Sequence, residues 1–278
     1  MITAVQLAFV ASVLAAPPQW LGSRPTRVER IVSLAPSATE LLFAIGAGDR
    51  VVGVTRFDDR PPAVRQLPKV GGFIDPDPEA VLALEPDLVV AIPTSAGRAR
   101  IDTLARLGMS VLVLPGASID DLWITLETLG EVTGTVARAT ALSAELQQRL
   151  DGIGTRHRNL QPIRVLVVVG RRPLIAAGNG TFFDGLLGLV GAVNVVQRGG
   201  TYPQLDLEAV VALDPEVIVD VTIGTPESGE VFWARARQVR AVERGRVVQL
   251  TDDSLLRPGP RLADGLAMLA RALRPDRP

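Results

Sequence analysis

The chain of 278 residues contains no cysteine. Disulfides, thiolate metal sites, iron–sulfur clusters and a cysteine nucleophile are therefore excluded together, and so is a lipid-modified cysteine as a membrane tether. Histidine is nearly absent as well. The single one, His157, leaves a multi-histidine metal site or a conventional Ser-His-Asp triad without the residues it needs. An excess of one charge is also missing: 29 Lys and Arg stand against 30 Asp and Glu, for a net charge of −1. Without a basic field, nucleic acid is not an expected partner, and no polybasic stretch marks a membrane surface. Aromatic residues are few, with seven Phe, three Trp and one Tyr. A long apolar run is lacking too. Residues 4–16 are apolar and end at Pro17 and Pro18, which is short of the roughly 20 residues needed to span a bilayer. Their length and small-residue ending predict a secretory signal peptide, although no Lys or Arg precedes them. Residues 1–26 are accordingly expected to be signal peptide and disordered N-terminus.

What is present suits two lobes. With 47% apolar residues, each lobe can bury its own core. Arg30-Ile31-Val32-Ser33-Leu34 reads as a strand, followed by an apolar helix from Pro36 to Ile45 that ends at Gly46 and Gly48. Strands at 51–54, 88–92 and 110–114 and a helix at 101–107 continue the alternation, which predicts parallel βαβ units. Between 135 and 158 the period changes. Val136, Ala139, Leu142, Leu146, Leu150 and Ile153 recur at steps of three and four, the stripe of one long amphipathic helix. The α/β alternation then resumes at Arg164. The expected division is an N-terminal α/β lobe over 27–134, a linking helix over 135–160 and a C-terminal α/β lobe over 161–278.

The two lobes share a repeat. Residues 79–90, Glu-Ala-Val-Leu-Ala-Leu-Glu-Pro-Asp-Leu-Val-Val, and residues 208–219, Glu-Ala-Val-Val-Ala-Leu-Asp-Pro-Glu-Val-Ile-Val, are identical at seven of twelve positions. Each copy reads as a helix closed by proline and followed by a strand, with Asp77 and Asp206 placed to cap it. A duplication of this size predicts two related lobes facing one another.

Taken together, the stretch from Arg30 to Glu40, the repeat and the long helix resemble the cobalamin, haem and iron-siderophore family of periplasmic binding proteins, over about residues 28–273. Within that family the chain is most similar to the cobalamin-binding members. The resemblance implies two Rossmann-like lobes with parallel sheets joined by a single long helix, and a ligand cleft between them. It implies a soluble, monomeric periplasmic protein that hands cobalamin, as cargo rather than prosthetic group, to the membrane permease of an ABC importer. At the positions of the family's cleft aromatics stand Phe57, Phe73 and Tyr202, while another such position holds Ile92. Asp253 and Arg257 occupy the places of an acid and an arginine that contact the corrin rim, with Arg261 and Arg56 as weaker candidates. Glu79 and Glu208 match the paired glutamates that dock the permease.

Haem and siderophore remain open as ligands. Tyr202 is the one tyrosine available to iron, His157 is expected to face solvent from the long helix, and Arg56, Arg171, Arg172, Arg257 and Arg261 could meet an anionic siderophore. A nucleotide-dependent α/β enzyme is the more distant alternative. Gly178-Asn179-Gly180 followed by Gly185 departs from the dinucleotide spacing and reads as a turn, and neither a Walker loop nor a Gly-x-Ser-x-Gly elbow occurs.

Overall fold

Alternation along the central strands fixes the layering. In the computed structural model, which describes residues 17–92, 97–222, 227–250 and 252–275, strands β1 (Gln19–Leu21), β2 (Ile31–Ser33), β3 (Val51–Val54), β4 (Leu88–Ala91) and β5 (Val111–Val113) form one sheet in the order β1-β5-β4-β2-β3. All pairings are parallel except that of β1 with β5. A second sheet takes β6 (Ile163–Arg171), β7 (Leu174–Ala176), β8 (Ala192–Asn194), β9 (Val217–Asp220) and β10 (Val247–Gln249), in the order β10-β9-β6-β7 with β8 also on β6. Here only β7 runs antiparallel. Both halves are thus α/β lobes.

Residues one apart on a strand point to opposite faces. Ile31, Leu88, Val90 and Leu112 enter one core, whereas Val32, Val89, Ala91 and Val111 enter another. In the second sheet Val165, Val167, Val217 and Val219 join that same first core, and Leu166, Val168 and Ile218 enter a third. One face of each sheet therefore feeds a single core shared by both lobes. Buried runs that are apolar on both faces are what parallel sheets require.

The helices α1 (Pro36–Ala44), α2 (Pro78–Leu82), α3 (Arg98–Arg106) and α4 (Asp120–Thr133) belong to the first half, and α5 (Val136–His157) connects it to the second. The predicted stripe of α5 buries Ala139, Leu146, Leu150 and Ile153 in the shared core; Val136, at the helix start, is exposed. Gly152 and Gly154 do not interrupt it. After it come α6 (Phe182–Leu189), α7 (Leu207–Leu213), α8 (Gly229–Trp233), α9 (Arg240–Glu243) and α10 (Leu262–Leu273), and α10 packs against α5. Among the described residues no helix is long and apolar enough to cross a membrane.

Two expectations change. The sequence sets everything before Arg27 outside the fold, yet Gln19–Leu21 pairs with Val111–Val113 as an edge strand. A three-residue strand whose partner is so distant in sequence leaves no local periodicity to read. Residues 4–16, expected to form the signal peptide, lie outside the described residues. His157 is half buried rather than solvent-facing, its Nδ1 lying 2.8 Å from the Ile153 carbonyl oxygen.

Candidate functional site

The repeat builds the same scaffold twice. Asp77 accepts hydrogen bonds from the N–H groups of Glu79 and Ala80, and Asp206 accepts one from Ala209, so α2 and α7 are both capped as their sequences require. Each helix is followed by a residue in the left-handed region, Glu85 at φ 45° and Asp214 at φ 44°, directly before proline. An arginine next to or within a central strand of each lobe, Arg30 just before β2 and Arg164 in β6, then closes the exposed carbonyls: Arg30 donates to Leu84 and Glu85, and Arg164 to Leu213 and Asp214. In return Asp87 and Glu216 accept from the backbone N–H groups of Arg30 and Arg164. On these matched scaffolds Glu79 and Glu208 stand exposed in the first helical turn. Neither forms an ion pair among the described residues, whereas exposed Asp75 and Asp264 each have an arginine partner.

The other candidates gather at a different place. Phe57 lies in the loop after β3, is 46% exposed and meets the ring of Phe73 edge to face at 5.8 Å between centroids. Such exposure excludes a core role for Phe57. The Arg56 guanidinium stands 4.9 Å from the centre of the Phe57 ring and donates to both oxygens of Asp75. Arg257, from the segment between β10 and α10, donates to the Phe57 carbonyl at 3.2 Å. Its Nη1 lies 2.7 Å from Asp59, 3.0 Å from Asp253 and 3.2 Å from Glu40. Asp253 and Arg257 do form the i,i+4 pair that their spacing allows, and the pair is one edge of a larger network. Phe57, Phe73, Asp253 and Arg257 are thereby joined in one patch. Tyr202 is half exposed on the loop between β8 and α7 of the second lobe, outside the contacts that join those four. Its partial burial pushes the hydroxyl pKa up, which keeps it a neutral donor and acceptor.

Sequence reasoning passed over the centre of this network. Glu40, on α1 of the first lobe, has a side chain only 4% exposed and takes a two-pronged bond from Arg261, Nε to Oε2 and Nη2 to Oε1, both at 2.9 Å. Arg261 also reaches Asp253 at 2.8 Å. One buried carboxylate of the first lobe thus holds two arginines of the C-terminal segment. The available signal is its setting: a charge among Ala38, Leu41 and Leu42, all buried.

Two neighbouring carboxyls are shifted in opposite senses. For Asp58, burial outweighs the hydrogen bonds from Thr55 and raises the pKa, so its contribution to stability is present below the ordinary carboxylate range and is lost as pH rises. For Asp59, burial pulls upward, but the bond and charge of Arg257, with help from Arg60, hold the pKa below its ordinary value. That contribution is present above the ordinary range and is lost as pH falls through the lowered value.

The remaining arginine candidates are paired as well. Arg171 lies 3.4 Å from Asp220, which also accepts the Trp233 indole N–H, and Arg172 lies 2.8 Å from Glu227. Gly178-Asn179-Gly180 is a turn region with Gly180 at φ 76°, as its composition predicts. A concavity of about 670 Å³ lined by Trp233, Arg237, Val242 and Gln249 lies beside the edge strand β10 and includes none of the candidate residues.

Against known proteins, the profile of a family described as periplasmic binding protein matches residues 31–254. The vitamin B12-binding protein of Vibrio cholerae serotype O1 is 29% identical over 253 residues, covering 91% of this chain and 91% of that protein. The crystal structure of the periplasmic vitamin B12 binding protein of Vibrio cholerae gives a TM-score of 0.78 at 29% identity, covering 89% of this chain and 97% of that one. A periplasmic heme binding protein from Pseudomonas aeruginosa gives 0.76 at 30% identity, covering 90% and 94%.

Proposed function

This chain belongs to the periplasmic binding protein family, and from that premise we propose that it captures a corrinoid of the cobalamin type and delivers it to the permease of an ABC importer. It acts in the periplasm as a monomer, with lobes over 27–134 and 161–278 joined by the helical segment 135–160. The observation that carries the ligand assignment is exposed Phe57 with partly buried Phe73 packed edge to face against it, beside a network in which arginines and carboxylates balance. A corrin offers a broad apolar ring for such aromatics and a rim of amides that need donors and acceptors but no net charge. Asp253 and Arg257 serve that rim, Tyr202 contributes from the opposite lobe, and Glu79 and Glu208 dock the permease.

Haem is the second reading. The Pseudomonas aeruginosa heme binding protein supports it at 30% identity, and Tyr202 is the one tyrosine able to reach iron.

The assignment is tested at the aromatic pair. Replacing Phe57 and Phe73 together by alanine is expected to weaken cobalamin binding about tenfold or more, because two aromatic contacts with the ring are lost. The unfolding midpoint should move little, since Phe57 is half exposed. Unchanged affinity in calorimetric titration would remove both residues from the site.

A further inference from the structure

Several arginines near a ligand site ordinarily point to an anionic ligand, and Arg56, Arg257 and Arg261 fit that pattern in the sequence. Geometry reverses the inference. Arg56 holds both oxygens of Asp75, at 2.8 and 2.9 Å. Arg257 and Arg261 are shared among Glu40, Asp59 and Asp253 at 2.7–3.2 Å. Even Arg60 lies within 3.9 Å of Asp253. Guanidiniums and carboxylates are thus matched beside the aromatic pair, and the match borders Phe57 directly: Arg56 lies against its ring, and Arg257 donates to its backbone carbonyl.

We propose that Asp59 and Asp75 determine specificity by neutralising Arg257 and Arg56, so that the site accepts a ligand whose rim is uncharged and turns away one whose rim carries carboxylates. The proposal rests on the assignment of Phe57 and Phe73 to the ligand site. A carboxylate on the ligand would have to replace Asp59 or Asp75, exchanging one ion pair for another. The displaced carboxylate would remain beside it as a like charge, so the exchange gains nothing and adds repulsion. An amide displaces nothing; it donates to the carboxylates and accepts from the remaining N–H groups. The side chains of Asp59 and Asp75 are 54% and 55% exposed, so a ligand reaches them and their replacement excavates no core.

The test compares wild type with Asp59→Asn/Asp75→Asn by titration calorimetry, after matched unfolding curves show that both are folded. The probes are cobinamide and cobyrinic acid, one corrin ring with a rim of amides or of carboxylates, and haem dimethyl ester and haem as the equivalent porphyrin pair. Wild type should favour the uncharged member. The ratio of carboxylate-form to uncharged-form affinity should rise about tenfold in the variant. An unchanged ratio between the two forms overturns the proposal. Porphyrin binding without corrin binding overturns the corrinoid assignment, and the ester-to-acid ratio then decides the specificity claim by the same criterion. If neither ring binds in either form, both claims fall.

Discussion

Replacing Glu40 by alanine is expected to destabilise the protein by about 3 kcal/mol, more than any other single change around the site. The side chain is 4% exposed and receives Arg257 and Arg261 at once, so its removal strands two guanidiniums that are themselves only 19% and 26% exposed. A partner removed from a buried ion pair costs far more than the pair contributes, because the remaining charge keeps its desolvation penalty without its compensation. Here some compensation survives, since Asp253 still faces both arginines and Asp59 faces Arg257. The effect should therefore lie toward the lower end for such deletions. Urea unfolding measures it, and a double-mutant cycle with Arg261→Ala should show the two changes to be coupled by about 1 kcal/mol or more. A loss below about 0.5 kcal/mol, the level of an ordinary surface change, would mean that this network does not tie α1 to the C-terminal segment.

The largest functional effect is expected from Glu79→Ala/Glu208→Ala. Transport of ligand through the cognate importer should fall about a hundredfold, the loss expected when two charged anchors of a docked complex are truncated. Ligand affinity should stay within about twofold, as for exposed residues away from the aromatic patch. Each glutamate stands on its own lobe, on a helix fastened by an aspartate cap and an arginine clasp, and both lobes share one core. Two charges held on lobes that share one core, neither in an ion pair among the described residues, fix the orientation of a partner as well as attracting it. Each single variant should keep part of the activity. Uptake by vesicles containing the importer reads the first quantity and calorimetry the second; unaltered uptake, or lost ligand binding, would contradict docking at these residues.

How much of this was legible beforehand depends on how far apart the interacting residues lie. The strand at Val51–Val54, the helix carrying Ala139, Leu146, Leu150 and Ile153, and the caps at Asp77 and Asp206 all follow from spacing within a few residues, and the structure contains them. The repeat disclosed two related halves, but not that one face of each sheet would enter a common core. That depends on how the sheets approach one another, which alternation alone does not encode. The edge strand at Gln19–Leu21 escaped for the same reason. At the site, spacing allowed the pair Asp253–Arg257, yet Glu40 and Asp59 come from about 200 residues away and could only be suspected from a charge in an apolar helix. Arg56, Arg257 and Arg261 could be matched to an anionic siderophore in the sequence because Glu40, Asp59 and Asp75, which pair with them, are brought close only by the fold.

The central claim is tested most directly by titrating the purified chain with cobalamin, haem and a ferric siderophore under the same conditions. Saturable one-to-one binding of cobalamin, tighter than the other two and with the ligand recovered unchanged, is the predicted result. Tighter binding of haem or of the siderophore would contradict it.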